Sequence, residues 1–304
     1  MGGEGEQMRW GVRRRLEFID FRLFWDGRFN RSDMAETFGI STQQASADIS
    51  HYEGLAPRNL RYDRTEKAYK RADTFEPAFI GETIERYLLQ IVAIENRWMR
   101  PEDTWFNQVP PVEVITLGRR PTNPAVLLGV LDAVRDRLEI EIEYSSLTGS
   151  AQQFRSIAPH ALSHSAGRWY VRSWSREHND FRDYNLNRIS AVNSKRSASV
   201  DSQLDYEWGH KINLIIVPNP ALSGERQAAV AEEHAMTDGR LVRPCRLSLS
   251  FYLMSEYNLD VEPEVLKPEK QQIILQNRDE VTQARALARK MSIEALARVS
   301  GPLA

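Results

Sequence analysis

The chain has 304 residues, of which 41% are hydrophobic and 27% charged, so we expect two or three ordinary globular domains whose cores need no disulfide or metal to be stable. Forty Lys and Arg residues face 42 Asp and Glu residues, and this near-neutral total argues against a protein that coats nucleic acid uniformly but allows a local basic patch. The single cysteine, Cys245, excludes an internal disulfide framework and a multi-cysteine zinc site.

Hydrophobic spacing and capping patterns predict three helices at the start of the chain. The first covers residues 12–26, with Val12, Leu16, Ile19 and Leu23 on its apolar face. A short second helix follows, with Ser32 as the expected N-cap, and Gly39 then permits a tight turn. Ser41 and Gln44 match the capping-box pattern and begin a third helix. This order of elements is typical of a helix-turn-helix.

The third helix has the surface of a DNA-recognition helix. Its predicted inward stripe is Ala45, Ile49 and Tyr52. The residues expected to face DNA are small or polar: Ser32 at the start of the second helix, and Ser41, Thr42, Gln43, Gln44, Ser46, Ala47 and Ser50 on the third. Since glutamine can bond bidentately to adenine and small side chains fit beside phosphates or thymine methyls, we expect Gln43, Gln44 and Ala47 to read bases.

A basic hairpin is predicted directly after this helix. Residues 58–71 contain six basic side chains against two acids, and two short β runs, NLRYD and KAYKR, flank a polar turn. We expect Arg61, Tyr62, Arg64 and Lys67 to contact DNA, with the cations holding phosphates and so supplying affinity rather than sequence choice. The alternative is a helical bundle with a solvated charged hairpin.

A connector is predicted between the first and second domains. Ile80, Ile84, Leu88 and Ile91 form one stripe of a helix from about residue 79 to 100. That stripe would either pack against the chain's own domains or form a dimer helix that spaces two recognition helices one DNA turn apart. Five of the 14 prolines fall between residues 101 and 124 and predict an extended segment there.

Period-two alternation from about residue 138 to 192 predicts a small β-barrel. In LEIEIEY, which begins at Leu138, we expect Glu139, Glu141 and Glu143 to form a solvated acidic face. A later strand places Arg168, Tyr170, Arg172 and Trp174 on one face, with further basic residues around it. Such a face suits an anionic ligand, although some of these arginines would alternatively pair with Glu177, Asp180 and Asp183.

Two histidines in the same region, His160 and His164, have the four-residue spacing of helical metal ligands. Because they follow Pro159 within a strand-rich region, that spacing does not place them on one helix face. We therefore expect neither a metal site nor a cofactor.

The run Trp169–Val171, followed by RDYNLNRI ending at Ile189, resembles the signature of WYL-domain transcriptional regulators. Its third letter is valine instead of leucine, which is a conservative change at a core position. The helix-turn-helix before it and the strand-helix-strand region behind it match the family's three-part layout. More narrowly, STQQAS, PRNLRYD and PHALSHSAGRWYVR are similar to the WYL repressors encoded beside bacterial anti-phage defence systems of the BREX and CBASS types.

The resemblance implies a multidomain α+β protein: a winged helix over residues 8–76, a helical linker or dimerisation segment over 77–124, an Sm-like or SH3-like WYL barrel over 125–200, and a ferredoxin-like WCX domain over 201–304. It also implies a homodimer that binds an inverted-repeat operator and represses transcription until a ligand reaches the barrel. The charged strand face favours an anion as that ligand, such as a nucleotide or an oligonucleotide. The ligand-contacting positions of the family fall on Ser146, His160, Tyr170, Arg172, Arg182 and Arg188, to which the charged face of the strand adds Arg168.

The last hundred residues contain no catalytic signature, so we do not expect an enzyme. We predict a strand over residues 212–217, a helix over 221–235, strands within 241–252 and a helix over about 279–297. The expected apolar side of the last helix consists of Val281, Leu287, Met291 and Leu296. Two alternatives stay open: an activator of the same architecture, and a nucleic-acid-processing accessory protein that uses the basic barrel. Neither a secretory signal nor a membrane-length apolar stretch is evident, which predicts a cytoplasmic protein with no membrane partner.

Overall fold

The computed structural model describes residues 9–81, 84–115, 120–147 and 152–300. The chain forms two compact units, which divide between residues 117 and 118. Among the described helices, none combines the length and the apolar composition that a membrane span requires.

The first unit is a winged helix, as predicted. Its elements are α1 (Trp10–Phe21), a π-helical turn (Arg22–Asp26), β1 (Arg28–Phe29), α2 (Arg31–Phe38), α3 (Thr42–Leu55), β2 (Leu60–Asp63), β3 (Ala68–Arg71) and α4 (Ile84–Glu95). The three strands form an antiparallel sheet in the order β1-β3-β2. The core between the helices and the sheet includes Leu16, Ile19, Met34, Ile49 and Tyr52.

The helix caps follow the sequence at α3 but not at α2. The Ser41 hydroxyl accepts a hydrogen bond from the backbone N–H of Gln44 at 3.1 Å, as the capping pattern predicts. At α2 the predicted N-cap, Ser32, lies inside the first turn instead, and Asn30 is the N-cap. The Asp33 carboxylate accepts from the Asn30 backbone N–H at 2.9 Å and so fixes the earlier start.

A buried carboxylate joins α1, α3 and the start of the connector. Asp20 is fully buried and accepts a hydrogen bond from the hydroxyl of Tyr52 on α3. Its second oxygen accepts from the backbone N–H groups of Ala78, Phe79 and Ile80 at 2.7, 2.6 and 3.1 Å. Four donors therefore satisfy the buried carboxylate, whose burial would otherwise be costly. The same hydrogen bonds hold α3 to residues 78–80, where the chain leaves the winged helix.

Part of the proline-rich connector is folded rather than extended. After a 3₁₀ turn at Pro101–Asp103, Trp105 packs edge-on against Phe18 of α1 with ring centroids 5.7 Å apart. The backbone N–H of Asn107 donates to the Asp26 carboxylate at 3.1 Å. The prediction of an extended segment is therefore wrong for residues 101–107, because their aromatic side chains find an apolar surface on α1.

The α4 stripe is only partly used within its own unit. Ile91 is buried, but Ile84 and Leu88 are 56% and 53% exposed. Leu89, beside them, is 66% exposed.

The second unit opens with a helix on a five-stranded antiparallel sheet. Its elements are α5 (Pro124–Asp136), β4 (Leu138–Ser145), β5 (Gln152–Ser165), β6 (Arg168–Ser175), β7 (Asp180–Asn185), a 3₁₀ turn (Leu186–Arg188) and β8 (Ile189–Ser197). The strand order is β7-β6-β5-β4-β8, so β7 and β8 are at opposite edges and the described strands form no closed barrel. One face of the sheet packs on α5 through side chains such as Val130, Ile142 and Val171.

The remaining chain adds a smaller sheet and four helices. These elements are a 3₁₀ turn (Ser202–Leu204), α6 (Tyr206–Gly209), β9 (Lys211–Pro218), α7 (Gly224–Glu233), β10 (Leu241–Arg246), α8 (Leu247–Glu256), β11 (Ile273–Leu275) and α9 (Arg278–Ser300). The described strands form a three-stranded antiparallel sheet in the order β10-β9-β11, and this arrangement does not confirm the ferredoxin-like expectation.

Two predictions in this region are wrong. Residues 247–252 are helical instead of extended, because Leu247, Ser250 and Met254 recur with helical spacing and are buried. On α9, Leu287 and Met291 are 59% and 39% exposed. The helix packs instead through Val281, Ala288, Ser292 and Leu296, since small side chains allow its close approach.

The predicted solvated acidic face of β4 is also wrong at Glu139. This side chain is 1% exposed, and it accepts hydrogen bonds from Arg176 at 2.6 and 2.7 Å. Arg196, its cross-strand partner on β8, donates to it at 2.5 Å. The period-two pattern identifies the strand but not the long-range cations that cover this carboxylate.

We predict that Asp20→Asn weakens the first unit by about 2–4 kcal/mol, because an amide cannot accept from all four donors of the buried carboxylate. Hydrogen exchange of residues 76–80 in the full chain, measured by mass spectrometry, should accelerate together with an earlier urea transition. Asp73→Asn, at an exposed carboxylate, is the control and should leave both unchanged. Unaltered exchange in Asp20→Asn would contradict this structural role.

Candidate nucleic-acid interface and anion site

The recognition helix α3 presents the predicted face to solvent. Ala45, Ile49 and Tyr52 are buried, as expected. The predicted contacts Ser41, Thr42, Gln43, Gln44, Ala47 and Ser50 are exposed, as is Ser32 on α2, and Ser46 is half-buried. The Ser46 hydroxyl donates back to the Thr42 carbonyl at 2.9 Å, which satisfies it within the helix.

The two predicted base-reading glutamines differ in their surroundings. The Gln44 amide donates to Asp48 at 3.1 Å, and Asp48 is in turn held by Arg15 of α1 at 2.6 and 3.1 Å. This network orients Gln44 on the helix surface. Gln43 is exposed and makes no hydrogen bond with the described residues, so its amide is available to a partner. Sequence analysis missed Asp48, although its position four residues after Gln44 is the spacing of a helical side-chain pair.

The wing is the hairpin of β2 and β3, and only part of its basic character is unpaired. Lys70 bonds to Asp63 at 2.8 Å and to Glu66 at 2.5 Å. The hydrogen bond from Lys70 lowers the pKa of Asp63 to about 2. Arg28 of β1 pairs with Glu66 at 3.0 Å, and Arg71 donates to the Phe24 carbonyl at 2.6 Å.

The four predicted wing contacts lie on the exposed side of this hairpin. Arg61, Arg64 and Lys67 are exposed and form no ion pair with the described residues. Tyr62 is 43% exposed, and its ring lies 5.0 Å from that of Tyr69. The wing therefore offers three cations and one aromatic ring to a partner.

Arg31 is a neighbouring cation that sequence analysis missed. It is exposed at the start of α2, and its guanidinium lies 3.4 Å from the Ser46 hydroxyl of α3. The first helix of a helix-turn-helix crosses the DNA backbone, so a basic residue at its N-terminus was the available signal.

The charged stripe of β6 exists, but it faces the chain's own C-terminal region. The Tyr170 ring lies 4.6 Å from that of Tyr252 on α8. Trp174 packs with Phe181 and with Leu296 of α9. Arg172, between them on the same face, is 3% exposed. This face is therefore a packing surface in the structure.

Arg172 is surrounded by three carboxylates. Its Nε and one terminal nitrogen donate to Asp205 at 2.7 and 2.9 Å, a bidentate pair. Asp183 of β7 and Glu207 of α6 each accept from it at 3.3 Å. Burial alone would lower the pKa of Arg172, but these partners raise it above its ordinary value. Sequence analysis left open that some arginines of this region pair with the chain's own carboxylates instead of a ligand, and this alternative is confirmed for Arg172 and Asp183.

The carboxylates of this cluster differ in their titration. Burial raises the pKa of Asp183 and also that of Glu207. Burial would raise the pKa of Asp205 as well, but hydrogen bonds from His160 and Arg172 hold it below its ordinary value. The pair of Asp205 and Arg172 is therefore the firmly charged part of the cluster.

The structure brings only some of the predicted ligand residues together. The Nε2 atom of His160 lies 3.1 Å from Asp205, so His160 joins Arg172 in one cluster. His160 also lines a cavity of about 440 Å³ with Trp174 and Phe181. Tyr170 shares the strand face of Arg172, and Arg168 is exposed at the start of that strand.

The other predicted ligand residues come from elements other than β6. Arg182 is paired across the sheet with Ser173, on the opposite face from Arg172. Ser146 follows the end of β4, and Arg188 is half-buried in the 3₁₀ turn before β8. Within the described ranges, no three His, Cys, Asp or Glu side chains are grouped as metal ligands.

Three family models match successive parts of the chain. They describe a BrxR transcriptional regulator winged helix-turn-helix domain over residues 11–93, a WYL domain over residues 125–194 and a BrxR transcriptional regulator C-terminal dimerization domain over residues 211–281. With the exposed recognition helix and wing, these matches define the class of the protein as a winged-helix transcriptional regulator with a WYL domain.

Curated relatives identify the family within that class. The chain is 36% identical over 274 residues to the DNA-binding transcriptional repressor CapW of Pseudomonas aeruginosa, covering 90% of this chain and 91% of the relative. Repressors of the same name from Escherichia coli (strain KTE188) and Stenotrophomonas maltophilia are 33% and 32% identical over 90% and 91% of this chain, and 91% and 93% of theirs. The chain belongs to the CapW family of WYL-domain transcriptional repressors.

A solved structure of proteasome accessory factor B/C (PafBC) of Arthrobacter aurescens matches with 13% identity and a TM-score of 0.25, covering 93% of this chain. This chain spans about half the length of that one, 48%.

We predict that Arg172→Ala destabilises the second unit by about 3–5 kcal/mol, because it leaves buried carboxylates without their cation. Arg168→Ala, at an exposed position on the same strand face, should leave stability near wild type. The measurement is thermal unfolding of the full chain followed by near-ultraviolet circular dichroism. Equal melting temperatures for the two variants would show that the cluster does not hold the sheet to the C-terminal region.

Proposed function

We propose that this chain is a ligand-responsive DNA-binding transcriptional repressor, which binds an inverted-repeat operator as a homodimer and controls a phage-defence operon. The observation that carries the proposal is 36% identity to a DNA-binding transcriptional repressor over 90% of the chain. The exposed polar face of α3 beside the cationic wing supports it physically. The repressor is favoured over the activator because the curated relatives described above are named repressors.

In this proposal the recognition helix supplies sequence choice and the wing supplies affinity. Gln43, with an uncommitted amide, reads a base edge in the major groove, and Gln44 is oriented for the same task by Asp48. Ala47 lies against a base or a methyl group. Arg61, Arg64 and Lys67 contact phosphates, and Tyr62 packs against the sugar-phosphate backbone. Arg31 adds a phosphate contact from the start of α2.

The homodimer uses the region that matches the dimerization domain, residues 211–281. The exposed apolar side chains of α4 support the dimer-helix hypothesis as an additional contact, because Ile84, Leu88 and Leu89 are each more than half exposed. Twofold symmetry of the dimer accounts for an inverted-repeat operator.

The effector site belongs to the WYL region and takes an anion, such as a nucleotide or an oligonucleotide. The support is the cationic and aromatic composition around Tyr170 and Arg172, together with Arg182 on β7 of the same sheet and Arg188 in the 3₁₀ turn before β8. Effector binding shifts the population of the dimer away from the DNA-competent geometry. The folds of the two regions are also part of the proposal. The strand order of the large sheet, with a 3₁₀ turn before β8, is compatible with an open SH3-like barrel. The C-terminal sheet and its helices are compatible with a ferredoxin-like domain that has fewer strands.

The test is footprinting of the DNA upstream of the protein's own gene. We expect the full chain to protect an inverted repeat, and the variant with Gln43→Ala and Gln44→Ala to lose about 10- to 100-fold of its preference for that repeat over random DNA. Salt-dependent binding to random DNA should persist. Gln283→Ala, at an exposed glutamine of α9, is the matched control and should bind as wild type.

Two results would contradict this proposal. Absence of any protected site would remove operator binding itself. An unchanged preference in the double variant would show that α3 does not read the sequence.

We further predict that Arg64→Gln reduces the slope of log affinity against log salt concentration by about 1. The reason is that a phosphate no longer contacted by the protein keeps its condensed counterions when the complex forms. The loss should be similar for operator and random DNA. Arg240→Gln, at an exposed arginine of the second unit, should leave the slope unchanged. Gel shifts over a salt series measure both, and equal slopes would exclude Arg64 from the phosphate contacts.

A further inference from the structure

Arg172 already holds an anion, and that anion is part of the same chain. Both oxygens of Asp205 meet the guanidinium at 2.7 and 2.9 Å, and both side chains are buried. Arginine binds the carboxylate or phosphate of a ligand in the same bidentate geometry, with two parallel N–H···O hydrogen bonds. An oxyanion that reaches Arg172 must therefore replace Asp205 rather than fill an open site.

The cluster around Arg172 contains more carboxylates than buried arginines. Asp183, Asp205 and Glu207 surround it. One oxygen of Asp183 is buried with no hydrogen-bond partner, and the other accepts from Tyr252 at 3.3 Å. Arg285 is the second arginine, at 3.5 Å from Glu207, and its side chain is 40% exposed. Two carboxylates thus remain beside Arg172 when Asp205 moves away, so that departure leaves no unpaired buried cation.

Asp205 lies on a short segment that connects two sheets. It follows the 3₁₀ turn Ser202–Leu204, in which Ser202 and Gln203 are exposed, and it caps the four-residue helix α6 by accepting from the Trp208 backbone N–H at 3.1 Å. This segment joins the last strand of the large sheet, β8, to the first strand of the C-terminal sheet, β9. Displacement of the Asp205 side chain therefore acts on the segment that joins the two sheets.

His160 connects the pair of Arg172 and Asp205 to a neighbouring cavity. It bonds to Asp205 at 3.1 Å and lines the cavity of about 440 Å³, whose wall includes Asp201 and Ser202 of the same segment. A small ligand in this cavity would contact both the sheet and the segment that carries Asp205. Cavities of this size are typical of small-molecule sites.

We propose that Asp205 is an internal competitor for the effector: it occupies Arg172 in the unliganded repressor, and an effector with a forked oxyanion, a carboxylate or a phosphate, takes its place. The inference rests on the proposed effector site. Displacement frees the Ser202–Gly209 segment and loosens the C-terminal region from the charged face of β6. Asp205 thereby sets both the chemistry that the site accepts and the affinity threshold at which the repressor responds.

The experiment removes the competing charge and measures binding of simple anions. In the full chain, Asp205→Asn keeps the size of the side chain and its capping oxygen but weakens its hold on Arg172. We expect isothermal titration to show inorganic phosphate binding about tenfold more tightly than to wild type. Acetate, titrated in parallel, distinguishes a site that prefers phosphate from one that prefers carboxylate.

Two controls assign the gain to Arg172. Glu232→Gln removes one negative charge at an exposed position on α7, away from the cavity, and should leave phosphate binding as in wild type. Adding Arg172→Gln to Asp205→Asn should abolish the gain. Equal phosphate affinity in Asp205→Asn and wild type, or a gain that survives Arg172→Gln, would overturn the proposal.

A second variant and a separate assay keep the outcome interpretable. If Asp205→Asn does not fold, Asp205→Ser keeps an oxygen at the N-cap of α6, removes the competing carboxylate and should also tighten phosphate binding. No shift in that variant overturns the proposal. Operator binding by the wild-type protein is measured independently. Intact operator binding with no shift in phosphate affinity refutes the competitor alone, whereas absent operator binding refutes the proposed function.

Discussion

The bidentate pair of Arg172 and Asp205 is the interaction on which the second unit depends. A buried guanidinium is tolerated only when its donors are satisfied, and here the acceptors come from β7, from the segment after β8 and from α6. The pair therefore selects one arrangement of the C-terminal elements over the charged face of the sheet. Tyr170 against Tyr252, and Trp174 against Leu296, then fill the apolar space on either side.

In the first unit, the buried carboxylate of Asp20 likewise accepts hydrogen bonds from several elements. Its carboxylate collects the Tyr52 hydroxyl from the recognition helix and three consecutive backbone N–H groups from residues 78–80. Because the connector leaves the winged helix at this point, the position of its backbone and that of α3 are set by one side chain. In each unit a buried carboxylate thus joins two elements: α3 to residues 78–80 in the first unit, and β6 to the segment after β8 in the second.

Local signals in the sequence predict the winged helix well, because its elements are determined by spacing and caps within a few residues. Ser41 caps α3, and Ala45, Ile49 and Tyr52 are buried, as the pattern requires. The faces of β6 also follow from period two alone. That pattern indicates which side chains share a face, but whether the face meets solvent, a ligand or the chain itself depends on distant residues.

Other errors, unlike the N-cap of α2 and the helix α8, concern such distant partners. Glu139 alternates like a solvated residue, yet Arg196 on the paired strand and Arg176 cover it. Trp105 lies in a proline-rich stretch, but an aromatic pocket on α1 binds it. Nothing within reach of either residue along the sequence specifies these contacts. The identity of Asp205 as the partner of Arg172, 33 residues away, is hidden for the same reason.

Internal pairing also determines how many charges remain for DNA. Lys70 neutralises carboxylates within the wing, and Arg28 adds to this from β1, which leaves Arg61, Arg64 and Lys67 exposed without an ion pair in the described part of the chain. In the proposed complex, three phosphate contacts per wing give a modest, sequence-independent affinity, since each contact contributes through released counterions. Discrimination must then come from the few side chains of α3. In the proposed dimer, the operator is held firmly only while both recognition helices are correctly spaced, so a change in dimer geometry would suffice to release it.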